Sequence, residues 1–349
     1  ACARPRRAAE RDVEVHRLTV NLNYPRRLPL ARTPTPLQFM ARASDQWGRG
    51  KRLWIKRDDL TGSTLSGNKV RKLEFIAAHA LDNGYDTLIT CGGLQSNHCR
   101  ATALVGAQLG LQVHLLLRGS EPRASEGNYL LDQLAGARIN CYRPGQYFAE
   151  LDALFQQWQE HYAQQGGTAL AIPTGGSDGI GVWGYIAACE ELAADFDAAD
   201  IAAANLVCAS GSGGTQAGLT VGTELSGLPA TVWAVNVCDD ERYFVNKVAA
   251  DIADWREKYP DVPSVSARVR VLDGYVGAGY GKASPEVFAL IRDLARLEGV
   301  VLDPVYTGKA FHGMLAELAQ GRFDDYDDLV FVHTGGIFGV FPQAGGFSW

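Results

Sequence analysis

Lys69 is the residue in this chain whose type and neighbours most clearly offer covalent chemistry. It follows the small residues of Ser66–Asn68 and opens an amphipathic helical pattern. Such turn-forming neighbours allow its amine to reach into a cleft, where it can form a Schiff base with a carbonyl cofactor. An ordinary surface lysine is instead a solvated charge. The same stretch places three cations at a helix start, where the macrodipole favours anions. These cations are Lys69, Arg71 and Lys72.

A glycine-rich turn at Ser210–Gln216 follows an apolar, strand-like run and precedes a helical pattern. Successive backbone N–H groups at a helix N-terminus, with few side chains in the way, make a cradle for an anion. The turn is not a P-loop, because it lacks Gly-Lys-Ser/Thr, and Gln216 stands where the dinucleotide fingerprint requires a third glycine. We therefore interpret it as a phosphate site in preference to a tight turn alone.

A second turn, Cys91–His98, carries Gln95, Ser96 and Asn97 at a predicted helix start. Ser or Asn alone would be an ordinary N-cap. Three such groups beside Gly-Gly exceed what capping requires, so we predict a second anion site or a site for a ring hydroxyl. His98 has no evident partner in the sequence, and a helix-surface or packing role is expected for it.

Three further loops carry aromatic or hydroxyl groups. Tyr306 and Thr307 lie in the segment 303–309 before a helical pattern and are expected to point into a cleft. The glycine-spaced loop 275–281 is either a mobile lid or an ordinary connecting loop. The segment 333–336, His-Thr-Gly-Gly, follows the last strand-like run. None of these loops identifies a reaction by itself.

The elements that must position these groups alternate between strand and helix about eight times, which predicts an α/β fold with mostly parallel sheets. In such sheets the ligand sites lie beyond the carboxyl ends of the strands, where each glycine turn falls here. Residues 13–50 are predicted to be irregular. The predicted helices cover about 70–83, 96–110, 128–134, 150–164, 180–194, 215–225, 242–255, 285–297 and 308–318.

Composition excludes several functional classes. The net charge of −6 gives no basic surplus for nucleic acid, and no apolar run approaches the roughly 20 residues of a membrane span. The seven histidines show no metal-ligand spacing, and no Gly-x-Ser-x-Gly elbow occurs. Seven widely spaced cysteines favour a reducing compartment, and we predict a cytoplasmic location. The Arg- and Ala-rich start, expected to be a flexible arm over 1–12, leaves organellar import open.

Five motifs occur in a fixed order: Gly67–Glu74, Gly93–Asn97, Ser210–Thr215, Leu302–Lys309 and His333–Gly336. In this respect the chain resembles the D-cysteine desulfhydrase and 1-aminocyclopropane-1-carboxylate deaminase family of fold-type II pyridoxal-phosphate enzymes. The likeness covers nearly everything after about residue 25. It implies a two-lobed fold, each lobe being a mostly parallel twisted sheet flanked by helices.

The resemblance also implies roles for single residues. Lys69 would hold the cofactor covalently and later move the Cα proton, and Thr307 would face the pyridine nitrogen. The implied cofactor-binding set is Lys69, Asn97, Gly211, Ser212, Gly213, Gly214, Thr215 and Thr307. The implied catalytic residues are Lys69, Ser96, Tyr280 and Tyr306. The implied substrate-binding residues are Gln95, Ser96, Asn97, Tyr280 and Thr334. No metal is expected.

Two positions separate the branches of this family. Thr307 and Thr334 stand where the deaminase pattern has Glu and Leu, and this resembles the desulfhydrase branch. A carboxylate beside the ring nitrogen keeps it protonated and makes the strong electron sink that cyclopropane opening demands, whereas a hydroxyl suffices when hydrosulfide leaves Cβ. Ile337–Gly339 departs from the Ala-Pro-Ala of bacterial desulfhydrases and is nearer to plant-type members.

The predicted function is therefore β-elimination of D-cysteine to pyruvate, hydrogen sulfide and ammonia. Alternatives are a lyase acting on another β-substituted alanine (L-cysteate, D-serine or β-chloro-D-alanine), the deaminase itself, or a non-enzymatic binder on the same fold. By family analogy, residues 1–74 and 189–349 form a large cofactor-binding domain and residues 75–188 a small one. The same analogy implies a homodimer acting on a small amino acid.

Overall fold

The computed structural model describes residues 22–349. Its strands are β1 (Leu37–Phe39), β2 (Arg52–Lys56), β3 (Thr87–Gly93), β4 (Gln112–Arg118), β5 (Arg138–Tyr142), β6 (Ala169–Ala171), β7 (Ala204–Ser210), β8 (Ala230–Asn236), β9 (Val271–Leu272) and β10 (Asp328–Val332). Its α-helices are α1 (Ala41–Trp47), α2 (Lys69–Asp82), α3 (Asn97–Leu109), α4 (Gly127–Leu134), α5 (Pro144–Gln164), α6 (Trp183–Ala198), α7 (Gly214–Leu225), α8 (Glu241–Lys258), α9 (Pro285–Glu298) and α10 (Thr307–Ala319).

The strands form two separate sheets. One has the order β1-β2-β10-β7-β8-β9 and the other β5-β4-β3-β6. Every neighbouring pair is parallel except β1 and β2, which are antiparallel. The predicted α/β fold with mostly parallel sheets flanked by helices is therefore confirmed. The domain boundaries at 74/75 and 188/189 stay a prediction, and the arm predicted over 1–12 lies outside the described residues.

Local sequence explains where the site-bearing helices begin and end. α3 begins after Ser96, whose side chain accepts a hydrogen bond from the Cys99 N–H at 3.2 Å, and ends at Gly110 in the left-handed conformation. α9 has Pro285 in its first turn and ends at Gly299, also left-handed. These caps satisfy backbone groups that a helix cannot pair internally.

The largest core cluster joins the two sheets through their helices. It contains Phe75 of α2, Leu115 of β4, Trp183 of α6 and Trp255 of α8. The rings of Trp183 and Trp255 lie 5.7 Å apart, and both side chains are fully buried. Truncating such a side chain to alanine costs about 3–5 kcal/mol. The helices that carry site residues thus rest on a shared, rigid base.

β10, the last strand in the chain, lies between β2 and β7 in the larger sheet. Its residues pair in register with Arg52–Lys56 on one side and with Ala204–Val207 on the other. The segments that follow β7 and β10 therefore emerge side by side at the carboxyl edge. This arrangement brings the Ser210 turn and the His333–Gly336 segment into one neighbourhood.

The prediction that residues 13–50 are irregular is wrong where the structure describes them, since β1 and α1 lie in that stretch. β1 has three residues and α1 has seven, too few to produce a hydrophobic period. Pairing of β1 with β2, and packing of α1 on β2 and α9, stabilise them instead. The two-residue β9 escaped prediction for the same reason.

The three cations at the start of α2 separate in the structure. Arg71 turns away from the site and makes a bidentate contact with Asp58, with N–O distances of 2.9 and 2.8 Å. It also donates to Glu191 at 2.8 Å. The pair of Arg71 and Asp58 is fully buried, so it is costly to break one partner at a time. Arg71 is thus a structural cation and not part of an anion site.

Within the described residues, every helix is too short or too polar to pass through a lipid bilayer. The same part of the chain holds no group of three or more His, Cys, Asp or Glu side chains arranged to bind a metal ion.

Candidate active site

A cavity of about 680 Å³ opens at the carboxyl ends of strands from both sheets. It receives groups from the ends of β3, β4 and β7, from the start of α2, and from the loop before α9. The predicted site residues that line it are Lys69, Ser96, Asn97, Gly211, Ser212, Gly213, Thr215, Tyr280, Tyr306 and Thr334. Gln95, Gly214 and Thr307 lie just outside the lining. The structure therefore brings together residues spread over most of the sequence.

Lys69 is the first residue of α2, and its amine faces the cavity. Burial lowers the pKa of this amine to about 8, because a charged ammonium is poorly solvated there. Gly175 is left-handed at φ +72°, and a Cβ at this position would lie 3.2 Å from Lys69 Nζ and 2.2 Å from Ser212 Oγ. Only glycine leaves room for the amine and the phosphate turn to face one another here.

The loop before Lys69 packs directly on the segment after β10. A Cβ on Gly335 would lie 2.6 Å from Gly67 Cα, and one on Gly67 would lie 2.7 Å from the Thr334 carbonyl oxygen. Both glycines have positive φ, +87° and +112°. Asn68 N–H donates to that Thr334 oxygen at 3.1 Å. The lysine-bearing loop is thus held by backbone contact with the far end of the chain.

The turn after β7 lies at the cavity, and its role as an anion cradle stays a prediction. α7 begins at Gly214, so the N-terminal end of its macrodipole points at the cavity. Ser212 Oγ accepts a hydrogen bond from Ser177 Oγ at 2.9 Å, and Thr215 Oγ1 accepts one from Asn68 Nδ2 at 2.9 Å. Gly214 donates its N–H to Ser177 Oγ at 3.1 Å. The hydroxyls of Ser212 and Thr215 keep their own protons free to donate to an anion.

Lys72 is a site residue that sequence reasoning did not assign. Its Nζ lies 3.2 Å from the Gly175 carbonyl oxygen and 3.2 Å from Ser177 Oγ, fully buried. A Cβ on Gly214 would lie 2.7 Å from this nitrogen, so the amine lies directly behind the cradle. Burial first, and then Lys69, hold the pKa of Lys72 well below its usual value. Its spacing of three residues from Lys69, on one helix face, was the available signal.

Lys247 of α8 is a second cation that the sequence did not single out. Its side chain lines the cavity, forms an ion pair with Asp251, and donates to the Ser177 carbonyl oxygen at 3.1 Å. Burial raises the pKa of Asp251 to about 6, although Lys247 opposes the shift. Lys247 therefore brings positive charge to the cradle, and the amine of Lys72 adds N–H groups behind it.

Asn97 is oriented by a chain of hydrogen bonds that starts at Arg100. Arg100 can only donate, and its Nη1 lies 3.2 Å from Asn128 Oδ1, so this oxygen is an acceptor. Asn128 Nδ2 therefore donates, and it does so to Asn97 Oδ1 at 3.0 Å. Asn97 is left with its Nδ2 donors for the cavity. A ring hydroxylate is the kind of acceptor that such donors suit.

Ser96 caps α3 and still has a hydroxyl proton that it can donate. Its Oγ accepts the Cys99 N–H, which leaves the hydroxyl proton free to donate into the cavity that it lines. Gln95 is engaged elsewhere: its Nε2 donates to the Glu126 carbonyl oxygen at 3.0 Å and its Oε1 accepts the Asn128 N–H at 2.8 Å. The predicted contact of Gln95 with a substrate carboxylate stays a prediction.

His98 is not a surface residue, so that part of its expectation is wrong. It is buried, and its Nε2 lies 2.8 Å from Thr90 Oγ1. Thr90 Oγ1 already donates to the Ile172 carbonyl oxygen at 2.9 Å, so His98 Nε2 carries the proton. Burial, and then Lys69 and Lys72, hold the pKa of His98 well below its usual value. The ring is neutral, and its Nδ1 has no partner among the described residues.

Two tyrosines meet at the cavity from different segments. The hydroxyls of Tyr280 and Tyr306 form a hydrogen bond. Burial raises the pKa of both phenols, that of Tyr280 to about 12. The loop with Tyr280 is tied down, because Lys309 Nζ donates to the carbonyl oxygens of Val276 and Gly279 at 2.7 and 2.8 Å. This internal tether favours an ordered loop over a freely mobile lid.

Thr307 is buried beside the cavity at the start of α10. Its Oγ1 donates to Asp303 Oδ1 at 2.8 Å and accepts the Asp303 N–H at 2.8 Å. The predicted contact between Thr307 and a ring nitrogen stays a prediction. Thr334, by contrast, lines the cavity next to Lys69.

Comparison with known proteins identifies the family. A family model described as "Pyridoxal-phosphate dependent enzyme" matches residues 28–335. This chain is a pyridoxal-phosphate dependent enzyme. The bifunctional D-cysteine desulfhydrase/1-aminocyclopropane-1-carboxylate deaminase, mitochondrial, of Arabidopsis thaliana is 38% identical over 330 residues, which cover 90% of this chain and 79% of that protein. The D-cysteine desulfhydrase of Klebsiella pneumoniae is 40% identical over 324 residues, covering 90% and 95%.

A solved structure agrees with these relatives. The crystal structure of an ACC deaminase homologue is similar to this pyridoxal-phosphate dependent enzyme with a TM-score of 0.82 and 34% identity, covering 91% of this chain and 94% of that one. The resemblance found in the five motifs and the fold-type II architecture are thereby confirmed. The cofactor is pyridoxal phosphate, as predicted.

The residues present fit the chemistry of this cofactor. A carbonyl partner requires an amine that loses its proton easily, which the lowered pKa of Lys69 provides. A phosphate requires a cradle of donors and cations, which the start of α7 and the amines of Lys72 and Lys247 provide. A ring hydroxyl requires a donor, which Asn97 provides. The nearby carboxylate of Asp251 forms an ion pair with Lys247 through its Oδ1.

Proposed function

We propose that this protein is a lyase that converts D-cysteine and water to pyruvate, hydrogen sulfide and ammonia. The observation that carries the proposal is the meeting of Lys69 and Ser212 across Gly175, which joins an amine of lowered pKa to an anion cradle in one cavity. The names of the Klebsiella pneumoniae and Arabidopsis thaliana relatives support the substrate.

The cofactor would be held at three points. Lys69 would bind its carbonyl carbon, and Asn97 would donate to its ring hydroxyl. The turn of Gly211, Ser212, Gly213, Gly214 and Thr215, with Lys72 behind it, would bind its phosphate. When bound, pyridoxal phosphate supplies an electron sink for the pair left at Cα of the substrate.

Lys69 would act a second time as the base. With a pKa of about 8, its Nζ is about half neutral at pH 8, and the neutral amine would be suited to remove the Cα proton. Ser96 would donate to the substrate carboxylate, because its hydroxyl proton is free. The electron pair released at Cα forms a Cα–Cβ double bond, and the pair of the broken Cβ–S bond leaves with sulfur.

Tyr280 and Tyr306 would donate a hydrogen bond to the leaving sulfur. Burial raises the pKa of both phenols, so each keeps its proton at neutral pH. One hydroxyl is engaged by the other, and the donor left over would face the sulfur that departs with the electron pair.

Thr307 favours β-elimination over the deaminase reaction. Its hydroxyl proton is given to Asp303, so no acidic group at this position protonates the ring nitrogen. A weaker electron sink is sufficient for loss of hydrosulfide but not for opening of a cyclopropane. 1-Aminocyclopropane-1-carboxylate deamination is the second candidate, supported by the name of the Arabidopsis thaliana relative.

Pyruvate release from a substrate panel tests the proposal. The purified protein with its cofactor is incubated with D-cysteine, L-cysteine, L-cysteate, D-serine and β-chloro-D-alanine, and separately with 1-aminocyclopropane-1-carboxylate. We expect pyruvate and sulfide in equal amounts from D-cysteine, and loss of both in Lys69→Ala. Exclusive formation of 2-oxobutyrate from the cyclopropane would overturn the proposal in favour of the deaminase.

The resemblance also supports two organisational proposals. One is a homodimer, checked by light scattering of the purified protein. The other is the division into a large domain of 1–74 and 189–349 and a small domain of 75–188, checked by limited proteolysis. The cytoplasmic location stays a prediction, and the Arabidopsis thaliana relative is named as mitochondrial.

A further inference from the structure

Arg118 is a cation in the cavity that the reaction described above does not use. It is the last residue of β4, and its register partner on β3 is Gly93, which has no side chain to cover it. The guanidinium is partly buried and lines the cavity. Among residues 22–349, its five N–H groups make no hydrogen bond, and no carboxylate oxygen lies within 4 Å.

Three aromatic rings hold this guanidinium in place without using its donors. Its central carbon lies 5.7 Å from the Tyr147 ring, 4.8 Å from Phe148 and 5.1 Å from Tyr280. Cation–π contact at such distances orients an arginine and leaves its N–H edge available. The rings come from α5 and from the loop before α9, so the group is fixed from two sides.

The two lysines that line the cavity with Arg118 already have a partner or a proposed role. Lys247 is paired with Asp251, and Lys69 is assigned to the cofactor. The acidic lining residues are Asp152 and Asp239, and neither forms an ion pair with Arg118 within 4 Å. Arg118 therefore gives this part of the cavity an uncompensated positive charge. An unpaired guanidinium in a concave, partly desolvated site favours an anion.

Arg118 lies apart from the group assigned to the substrate carboxylate. Its Nη2 and Tyr280 Oη each lie 4.0 Å from the point where a Cβ of Gly93 would be. Ser96 Oγ instead lies 2.5 Å from the Cβ point of Gly92. Successive residues of a strand point to opposite faces, so Arg118 and Ser96 approach the substrate from different sides of the β3 end.

We propose that Arg118 binds the side-chain end of the substrate and selects an amino acid whose β-substituent is anionic or departs as an anion. The substrate class is a thiolate, sulfonate or carboxylate on Cβ. In elimination from D-cysteine, hydrosulfide takes the electron pair of the Cβ–S bond, and the guanidinium faces the charge that develops. The part of this inference that concerns the reaction rests on the proposed lyase function. The binding preference for an anionic side chain does not depend on it.

The test compares aspartate with asparagine, which have the same shape and differ in the charge of the side chain. Each is titrated, in D and L form, into the enzyme with its cofactor, and binding is followed by the change in cofactor absorbance. We expect aspartate of the productive stereochemistry to bind roughly tenfold to a hundredfold more tightly than asparagine, the range for a charge-assisted contact. D- and L-alanine report binding without a side-chain contact.

Arg118→Gln should reduce the aspartate-to-asparagine ratio to within about twofold and leave alanine binding unchanged. Arg118→Lys should keep part of the ratio, because the charge remains but the fork geometry is lost. Arg123→Gln is the matched control, since Arg123 is exposed and outside the cavity lining, and it should keep the wild-type ratio. An unchanged ratio in Arg118→Gln, or none in the wild type, overturns the inference.

The two proposals fail in different ways. A wild-type preference for aspartate that Arg118→Gln abolishes, with no pyruvate from any β-substituted alanine, supports the anion subsite and rejects the lyase. Pyruvate from D-cysteine at the wild-type rate in Arg118→Gln, with an unchanged ratio, rejects the subsite and leaves the lyase intact.

Discussion

The side-chain amide of Asn128 donates a hydrogen bond to Oδ1 of Asn97 at 3.0 Å. Asn128 lies on α4 and does not line the cavity, yet it decides which end of the Asn97 amide faces it. Its own orientation is set by Arg100, which donates to Asn128 Oδ1 and also to the Ser66 carbonyl oxygen at 2.6 Å. One buried arginine therefore positions both the Asn97 amide and the loop that carries Lys69.

Asn128→Asp should turn the Asn97 amide around. The substitution keeps the size of the side chain and replaces a donor by an acceptor, so Asn97 would present its oxygen to the ring hydroxyl. We expect kcat/KM for D-cysteine to fall roughly tenfold to a hundredfold, equivalent to about 1.4–2.8 kcal/mol, with a shifted cofactor absorbance maximum. Asn246→Asp, on an exposed face of α8, is the control. Unchanged absorbance and activity would contradict this positioning role.

The pKa of Lys69 predicts how the rate of cofactor loading depends on pH. Burial lowers this pKa to about 8, and the neutral amine is the nucleophile, so loading should rise with pH up to about 8 and then level off. Below that pH the rate should fall up to tenfold per unit. Stopped-flow absorbance on cofactor-free protein measures it. A free lysine side chain, with a pKa near 10.4, should continue to gain rate to about pH 10. The same profile in the protein would refute the shift.

Gly335→Ala should destabilise the protein and disturb the site. A Cβ at this position would lie 2.6 Å from Gly67 Cα, and the positive φ adds strain. We expect a loss of at least about 1–3 kcal/mol in the free energy of unfolding, measured by urea titration, together with weaker cofactor binding. Gly339→Ala is the control, because its φ is ordinary and no atom lies within 4 Å of the new methyl. It should change stability by less than about 0.5 kcal/mol.

Lys309→Met should loosen the loop that carries Tyr280. Lys309 Nζ is the donor to the carbonyl oxygens of Val276 and Gly279, and methionine fills the space without donating. Hydrogen exchange should accelerate in 274–281, and kcat/KM should fall about tenfold, while the cofactor spectrum stays the same. Lys282→Met, at an exposed position of the same loop, should leave exchange in 274–281 unchanged. Equal exchange in both variants would mean that the tether is unimportant.

The sequence was sufficient to predict the architecture, because the periodicity of apolar residues and the glycine turns are local features of the chain. The alternation of apolar strands with amphipathic helices predicted the parallel sheets, and the glycine turn at 210–216 predicted the helix start that the structure has at Gly214. β1 and α1 were missed, since three and seven residues are too short to show a period. Their stability comes from pairing and packing with distant residues, which no local pattern records.

The site itself was predictable only in part. Motif resemblance named Lys69, Ser96, Asn97 and Tyr280, all of which line the cavity. Lys72, Lys309 and Arg118 were missed because a buried lysine or an unpaired arginine has the same sequence signature as a solvated one. His98 was misjudged for a related reason: its partner, Thr90, is supplied by the adjacent strand. Burial and hydrogen-bond partners are properties of the folded chain, so a local sequence pattern does not show them.

The position of β10 between β2 and β7 also affects when, during synthesis of the chain, the site can form. A nascent chain that has not yet released residues 328–335 from the ribosome has its larger sheet divided in two, and Gly67 lacks the backbone on which it rests. The Lys69 loop then keeps its hydrogen bond from Asn68 to Thr215 but lacks its backbone contact with the segment 334–335. We therefore expect stable capture of the cofactor to follow the release of β10 from the ribosome.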